Sequence, residues 1–217
     1  MNYPDDFINK VICGDCLEVM KGIPDGSVDL VLTDPPYGIG ESNEKNLSRG
    51  KLANPKNYGH YDWDSERIDR RYFEQIFRIS KNQMIFGGNY YTDFLFPSSC
   101  WIVWDKDNGN NDFADCELVW TSFKTAVRKF KWRWNGMFQE KMGDKEVRVH
   151  PTQKPLPVLR WILNKYSKEN DLILDTFAGS FTTCVAAKQL GRRFIGIEIN
   201  EDYCKIGQQR LAQEILI

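Results

Sequence analysis

Two consecutive prolines placed directly after an apolar, β-branched run constrain this chain more than any other feature. Val28-Asp29-Leu30-Val31-Leu32-Thr33-Asp34-Pro35-Pro36-Tyr37-Gly38 reads as a buried strand that must stop at Asp34, because neither proline can donate to a ladder. With φ fixed at Pro35 and Pro36, a carboxylate, a backbone carbonyl and an aromatic ring stand in fixed relation at a strand's C-terminal edge. Open α/β sheets bind their ligands there. Such a cluster suits a planar amine, with one N–H given to Asp34, the other to the Pro35 carbonyl, and the ring stacked on Tyr37. A plain turn with an exposed Asp after a core strand would carry the same letters.

Two downstream stretches bear on that choice. Asp171-Leu172-Ile173-Leu174-Asp175 is another buried-strand pattern, and Phe177-Ala178-Gly179-Ser180 is a small-residue turn into a helix from Thr182 to Leu190. Gly191 ends the helix and Arg193 to Ile199 is the next strand, which makes a βαβ unit. Glu198 lies 19 positions beyond Gly179, where an acidic residue of a dinucleotide fold accepts hydrogen bonds from ribose hydroxyls. His150-Pro151-Thr152-Gln153-Lys154-Pro155 is extended, since residues before proline avoid the helical region. Leu159, Ile162, Leu163 and Tyr166 then space out an amphipathic helix. Thr152 and Lys154 stand just before its start, a place suited to polar or anionic ligand groups.

Elsewhere the chain supplies a short strand from Asn9, stopped by Gly14, and a helix starting near Leu17. Asp15 then sits at that strand's C-terminal edge, where a helix N-cap would stand. Periodicity vanishes between Gly38 and Tyr61, which predicts a mobile substrate loop over 38–61 in which Arg49, Lys51 and Lys56 meet phosphates. Tyr72, Phe73, Ile76, Phe77 and Ile79 mark a helix, and Gln83 to Phe86 and Trp101 to Trp104 mark strands. Asp115 to Phe123 predicts a half-buried antiparallel strand, with Cys116, Leu118 and Trp120 inward and Glu117, Val119 and Thr121 outward.

A chain of 217 residues, 41% hydrophobic and with 13 Phe, 9 Tyr and 7 Trp, suffices for one substantial core, and we read residues 1–217 as a single domain. No apolar run of spanning length and no leader is present, which predicts a cytoplasmic protein without membrane contact. Six scattered cysteines make no disulfide framework, and the Cys13/Cys16 pair has no second pair or His at zinc-ligand spacing, so no metal is expected and the two read as small core residues at a strand end. With 29 basic and 30 acidic residues the net charge is −1, so attraction to nucleic acid has to be local. Lys124, Arg128, Lys129, Lys131 and Arg133 lie in a stretch free of acidic residues, interleaved with Trp132 and Trp134. They are the candidate DNA contacts, against the alternative of a strand with a solvated basic face.

Asp34-Pro35-Pro36-Tyr37, His150-Pro151-Thr152-Gln153-Lys154-Pro155 and Asp175-Thr176-Phe177-Ala178-Gly179-Ser180 with Gly196-Ile197-Glu198 together resemble the amino-methyltransferases that methylate an exocyclic nitrogen of adenine or cytosine in DNA. The resemblance runs from Asp15 to Gln209, in the permuted motif order of the β-class. It implies an α/β, Rossmann-like methyltransferase fold: a mostly parallel sheet with one antiparallel strand and helices on both faces. It also implies S-adenosyl-L-methionine as cofactor and Asp34, Pro35, Pro36 and Tyr37 as the catalytic motif. Asp15 and Cys16, Asp34, Thr152 and Lys154, the turn residues Asp175, Phe177, Ala178, Gly179 and Ser180, and Glu198 become cofactor contacts.

By the same resemblance the segment 124–149 carries target recognition, and the substrate is DNA with its target base flipped out of the duplex. An Asp at the head of the motif favours adenine N6, since cytosine-N4 enzymes more often begin it with Ser. The resemblance admits a homodimer and a cognate restriction endonuclease as partners. N4-cytosine methylation, methylation of a protein glutamine or an RNA base, and a non-catalytic DNA-binding relative are the competing readings. This chain departs from the family in having Thr176 for a proline and Phe181 for the second turn glycine. Either the turn takes a right-handed geometry with Phe181 turned into the core, or cofactor affinity is weakened.

Overall fold

The computed structural model describes residues 1–39, 66–109, 114–135, 138–141, 143 and 145–213. The predicted loop 38–61, with Arg49, Lys51 and Lys56, lies outside the described residues from position 40 onward.

The chain runs β1 (Lys10–Cys13), α1 (Cys16–Met20), β2 (Val28–Thr33), α2 (Arg70–Ile79), β3 (Ser80–Phe86), β4 (Trp101–Asp105), β5 (Cys116–Thr121) and β6 (Arg128–Lys131). A small hairpin of β7 (Trp134–Asn135) and β8 (Phe138–Gln139) follows, then α3 (Leu156–Tyr166), β9 (Leu172–Asp175), α4 (Thr182–Gln189), β10 (Arg193–Glu198) and α5 (Glu201–Ala212). Eight strands make one sheet in the order β1-β10-β9-β2-β3-β5-β4-β6. All pairs are parallel except those of β5, which runs against both β3 and β4. The fold is therefore the mostly parallel α/β sheet with one antiparallel strand that the sequence predicts.

Burial on two sides explains why β2 and β9 read as unbroken apolar runs. Leu30, Leu32 and Ile173 join a core with Leu159 and Ile162 of α3 and Ala186 of α4 on one face. Val31 and Leu174 pack into a second core with Met20 of α1 and Phe73 and Ile76 of α2 on the other. β9 and β2 are neighbours, yet β9 is followed in sequence by β10, on the β1 side, whereas β2 is followed by β3 on the opposite side. Such a reversal opens a crevice at the strands' C-terminal ends, where α/β sheets take their ligands.

Three expectations need correction. β5 does not alternate between core and solvent: Val119, Trp120 and Thr121 are all buried, because both faces of the sheet are covered there. Cys13, expected in the core, is exposed, while Cys16 is buried. The Phe181 backbone is left-handed (φ 58°, ψ 26°) with the side chain fully buried, so the ring enters the core without the right-handed geometry expected to accompany it. Among the described residues no helix is long and apolar enough to cross a membrane, and no group of three or more His, Cys, Asp or Glu is placed to hold a metal.

Candidate active site

A cleft of about 530 Å³ opens at the C-terminal ends of β1, β10, β9 and β2, a volume in the usual range for small-molecule sites. Asp15 and Cys16 from the β1 end, Asp34 and Pro36 after β2, Thr152 and Lys154 ahead of α3, Asp175 to Ser180 after β9, and Glu198 all line it. Three motifs distant in sequence thus share one space. Pro35 is buried and, like Tyr37, is not among the lining residues.

The turn after β9 is held by its own backbone and by α5. Gly179 has φ +48° and donates its N–H to Glu198 Oε2 at 2.8 Å, while Asn200 N donates to Oε1 at 2.8 Å. Each carboxylate oxygen keeps a further lone pair. Burial raises the Glu198 carboxyl, opposed by these backbone donors. Beneath the turn, Arg210 of α5 donates to the Ser180 carbonyl and, at 3.0 Å, to Thr182 Oγ1. Asp15 is the N-cap of α1, accepting from Leu17 N at 2.8 Å, and it also lines the cleft.

At the other end of the cleft, Asp34 is clasped from two sides. Tyr37 Oη donates to Oδ1 and Lys154 Nζ donates to Oδ2. Burial pushes the Asp34 carboxyl up, against the pull of the Lys154 ammonium. Tyr37 does not stand as an open stacking platform: its ring is stacked on Tyr90 (centroids 4.7 Å apart, planes 17° apart) and its hydroxyl is spent on Asp34. Gly87, at φ +61°, is required beside it, since a Cβ there would come within 2.1 Å of the Tyr37 ring. Tyr91 donates to the Pro36 carbonyl and fixes the proline pair from α2's side of the sheet.

Three further groups, two in the cleft wall and one behind it, receive no site role from the sequence. His150 is buried against the Tyr203 ring at 4.4 Å, and its Nδ1 lies 3.3 Å from Thr152 N. Glu117 lies 3.4 Å from Lys154 and 2.6 Å from Lys106. Thr33 Oγ1 donates to Asp175 at 2.9 Å and meets Thr176 Oγ1 at 3.0 Å. The hydroxyl of Thr176, which replaces the family's proline, joins the two strand ends.

Two of these groups give a pH dependence of stability with opposite signs. Burial, then the Lys154 charge, depresses His150 to about 3, below its unfolded value of roughly 6.5. The associated stability is complete above about pH 6.5 and is lost as pH falls, by up to about 1.4 kcal/mol per unit. Burial raises Asp175 to about 6, so the folded form gains protons first and stability rises as pH falls from about 6 to about 4. Urea denaturation of His150→Asn at about pH 7 and pH 5 should therefore show the variant losing less stability on acidification than the parent, or gaining. Equal shifts in both proteins would remove His150 from this balance.

The basic stretch is less basic in space than in sequence. β6 lies parallel to β4, placing Lys131 beside Asp105 in the register. Lys129 pairs with Asp105 at 2.7 Å, Lys131 with Asp107 at 3.0 Å, and Arg133 with Asp107 as well. Lys124 and Arg128 are exposed. Trp134 is buried in the core, and Trp132 is half-buried with its ring stacked on Phe130 at the core's edge.

A cleft at the β9/β2 switch of a mostly parallel sheet, with a Pro-stiffened acid on its rim, defines a Rossmann-like α/β fold with its site at the usual place. Comparison with known proteins adds the family. The DNA methylase family (N6_N4_Mtase) matches residues 102–209. YubD of Escherichia coli (strain K12) is 30% identical over 227 residues, covering 94% of this chain and 91% of YubD. The type II methyltransferase M.HinfI of Haemophilus influenzae is 29% identical over 260 residues, covering 96% and 70%. The crystal structure of TTHA0409 of Thermus thermophilus, complexed with S-adenosyl-L-methionine, superposes with a TM-score of 0.59 at 21% identity, over 94% and 95% of the chains. The chain belongs to the N6/N4 DNA methylase family.

Proposed function

We propose that this protein transfers a methyl group from S-adenosyl-L-methionine to the N6 amino group of adenine in DNA. One observation carries the reading: Asp34 and the Gly179 turn with Glu198 line a single cleft. The residues present suit this cofactor. Gly179 lines the cleft, and Glu198 beside it retains acceptor capacity on both oxygens. Phe181 is absent from the cleft wall. Asp15 and Cys16, Thr152, and the Asp175 to Ser180 turn would hold the cofactor's remaining surface.

When bound, the cofactor supplies an electrophilic methyl on a sulfonium sulfur, which leaves as a thioether once the carbon–sulfur bond breaks. Everything else falls to the chain's own residues. An exocyclic amine is a poor nucleophile because its lone pair is delocalised into the ring. Asp34, accepting one N–H, favours rehybridisation and stabilises the positive charge that develops on nitrogen. The amine's surplus proton leaves toward the same carboxylate, whose proton affinity burial has raised. Tyr37 fixes the carboxylate's orientation from the far side. The proposal keeps residues 1–217 as one catalytic domain, with DNA meeting Lys124 and Arg128 and with target recognition in 124–149.

Incubation with labelled S-adenosylmethionine and unmodified DNA, followed by nucleoside analysis, tests the reading. N6-methyldeoxyadenosine is expected. N4-methyldeoxycytidine would transfer the same mechanism to cytosine, and DNA binding without cofactor binding would leave only a non-catalytic relative.

A further inference from the structure

Asp34, Lys154, Glu117 and Lys106 form a line of alternating charge that crosses the sheet from the end of β2 to the end of β4. Lys154 Nζ contacts Asp34 Oδ2 and lies 3.4 Å from Glu117 Oε2, and Lys106 Nζ lies 2.6 Å from Glu117 Oε1. The Lys154 side chain is only 10% exposed, with its ammonium 5.2 Å from the centre of the Phe86 ring. Glu117 Oε2 is buried and makes no hydrogen bond among the described residues. It is an acceptor aimed at a cation that has been drawn to the other carboxylate.

This arrangement conflicts with the work asked of Asp34. A nitrogen gaining positive charge and the Lys154 ammonium cannot both hold the same carboxylate, because like charges at contact distance repel strongly in a low-dielectric site. We infer that Lys154 is a two-position counter-ion, resting on Asp34 and passing to Glu117 when the target amine arrives, with Glu117 as the positioning residue that receives it. The inference rests on the amino-methylation reading and adds to it a residue outside the three motifs. The distance to be covered is small, since Oε2 already lies 3.4 Å away. Lys106 holds the other oxygen and keeps Glu117 aimed.

The displacement balances in charge. While Lys154 rests on Asp34, the pair is neutral and the acid is masked from solvent cations. After displacement, Asp34 faces the amine as a bare carboxylate and Lys154 forms a neutral pair with Glu117. No proton has to move for the exchange. The other titratable groups facing this line are Tyr37, which donates to Asp34, Asp175 at the end of β9, and His150 beside Lys154.

The test is a cycle of Glu117→Gln, Lys154→Met and the double variant, with turnover, cofactor affinity and the Asp34 titration each measured. Turnover comes from the assay with labelled S-adenosylmethionine and unmodified DNA, and the titration from carboxyl carbon NMR. Glu117→Gln should lower kcat about tenfold, within the range over which contacting residues couple, and leave cofactor Kd unchanged. In the Lys154→Met background the same substitution should have no further effect on kcat. The Asp34 midpoint should fall in Glu117→Gln, where a neighbouring negative charge is gone, and rise in Lys154→Met. An equal loss of kcat in both backgrounds, or an Asp34 midpoint indifferent to Glu117, would overturn the inference while the methylation reading stood. A parent chain that binds cofactor but methylates neither base would instead sink the reading itself, and the displacement with it.

Discussion

Replacing Asp34 with Asn should cut methyl transfer to DNA by about 10²–10³-fold, the usual loss when one preorganised group facing developing charge is removed. S-adenosylmethionine should still bind within about threefold of the parent, because the turn and Glu198 that would hold it do not touch Asp34. The substitution is nearly isosteric and leaves an acceptor oxygen where the carboxylate was, so what disappears is charge. Folding should survive, since Lys154 keeps Glu117 as a partner at 3.4 Å. Without that second carboxylate, an ammonium 10% exposed would be stranded, a change that typically costs about 3–5 kcal/mol. Calorimetric titration and the labelled-cofactor assay on the same preparation separate the outcomes. Turnover near the parent's would deny Asp34 its central part, and loss of both binding and turnover would make its cofactor contact the dominant one of its two expected roles.

How far the sequence reveals this site depends on whether a residue's neighbours are close in the chain. β2 and the β9-α4-β10 unit are legible because burial on both faces writes continuous apolar runs, and Pro35-Pro36 and Gly191 punctuate them. The meeting of Asp34, Thr152 and Gly179 in one cleft follows from the motif resemblance and from sheet order, not from any local pattern. Glu117 is hidden for a stated reason: alternation on β5 predicts an outward acid, whereas the segment ahead of α3 covers that face and delivers Lys154 to it. The acid-free stretch 124–133 misleads in the same way, since the acids that neutralise it sit on β4 and just after it. Tyr37 is taken by Tyr90, an arrangement that depends on the missing side chain at Gly87.

The second large effect lies under the cofactor turn. Phe181→Ala should destabilise the fold by about 3–5 kcal/mol, the range for a fully buried aromatic, measured by urea denaturation. Its ring fills space that Gly196 and Gly207 leave open: a Cβ at Gly196 would meet it at 2.6 Å and one at Gly207 at 2.3 Å. The left-handed backbone at Phe181 costs on the order of 1–2 kcal/mol, which ring burial offsets. Two further outcomes follow from that opposition. Phe181→Gly should be more stable than Phe181→Ala by about 1 kcal/mol, reversing the order expected at an ordinary helix position. Gly207→Ala should destabilise the parent by about 1–3 kcal/mol through overpacking, yet cost less in the Phe181→Ala background, where the new methyl enters a cavity. Cofactor affinity should fall in Phe181→Ala, since Phe181 N is bonded to the Ala178 carbonyl within the turn and the ring anchors that turn to α5. Tighter cofactor binding with unchanged stability would instead place the ring in the cofactor's own space, and the cleft would have to be redrawn around it.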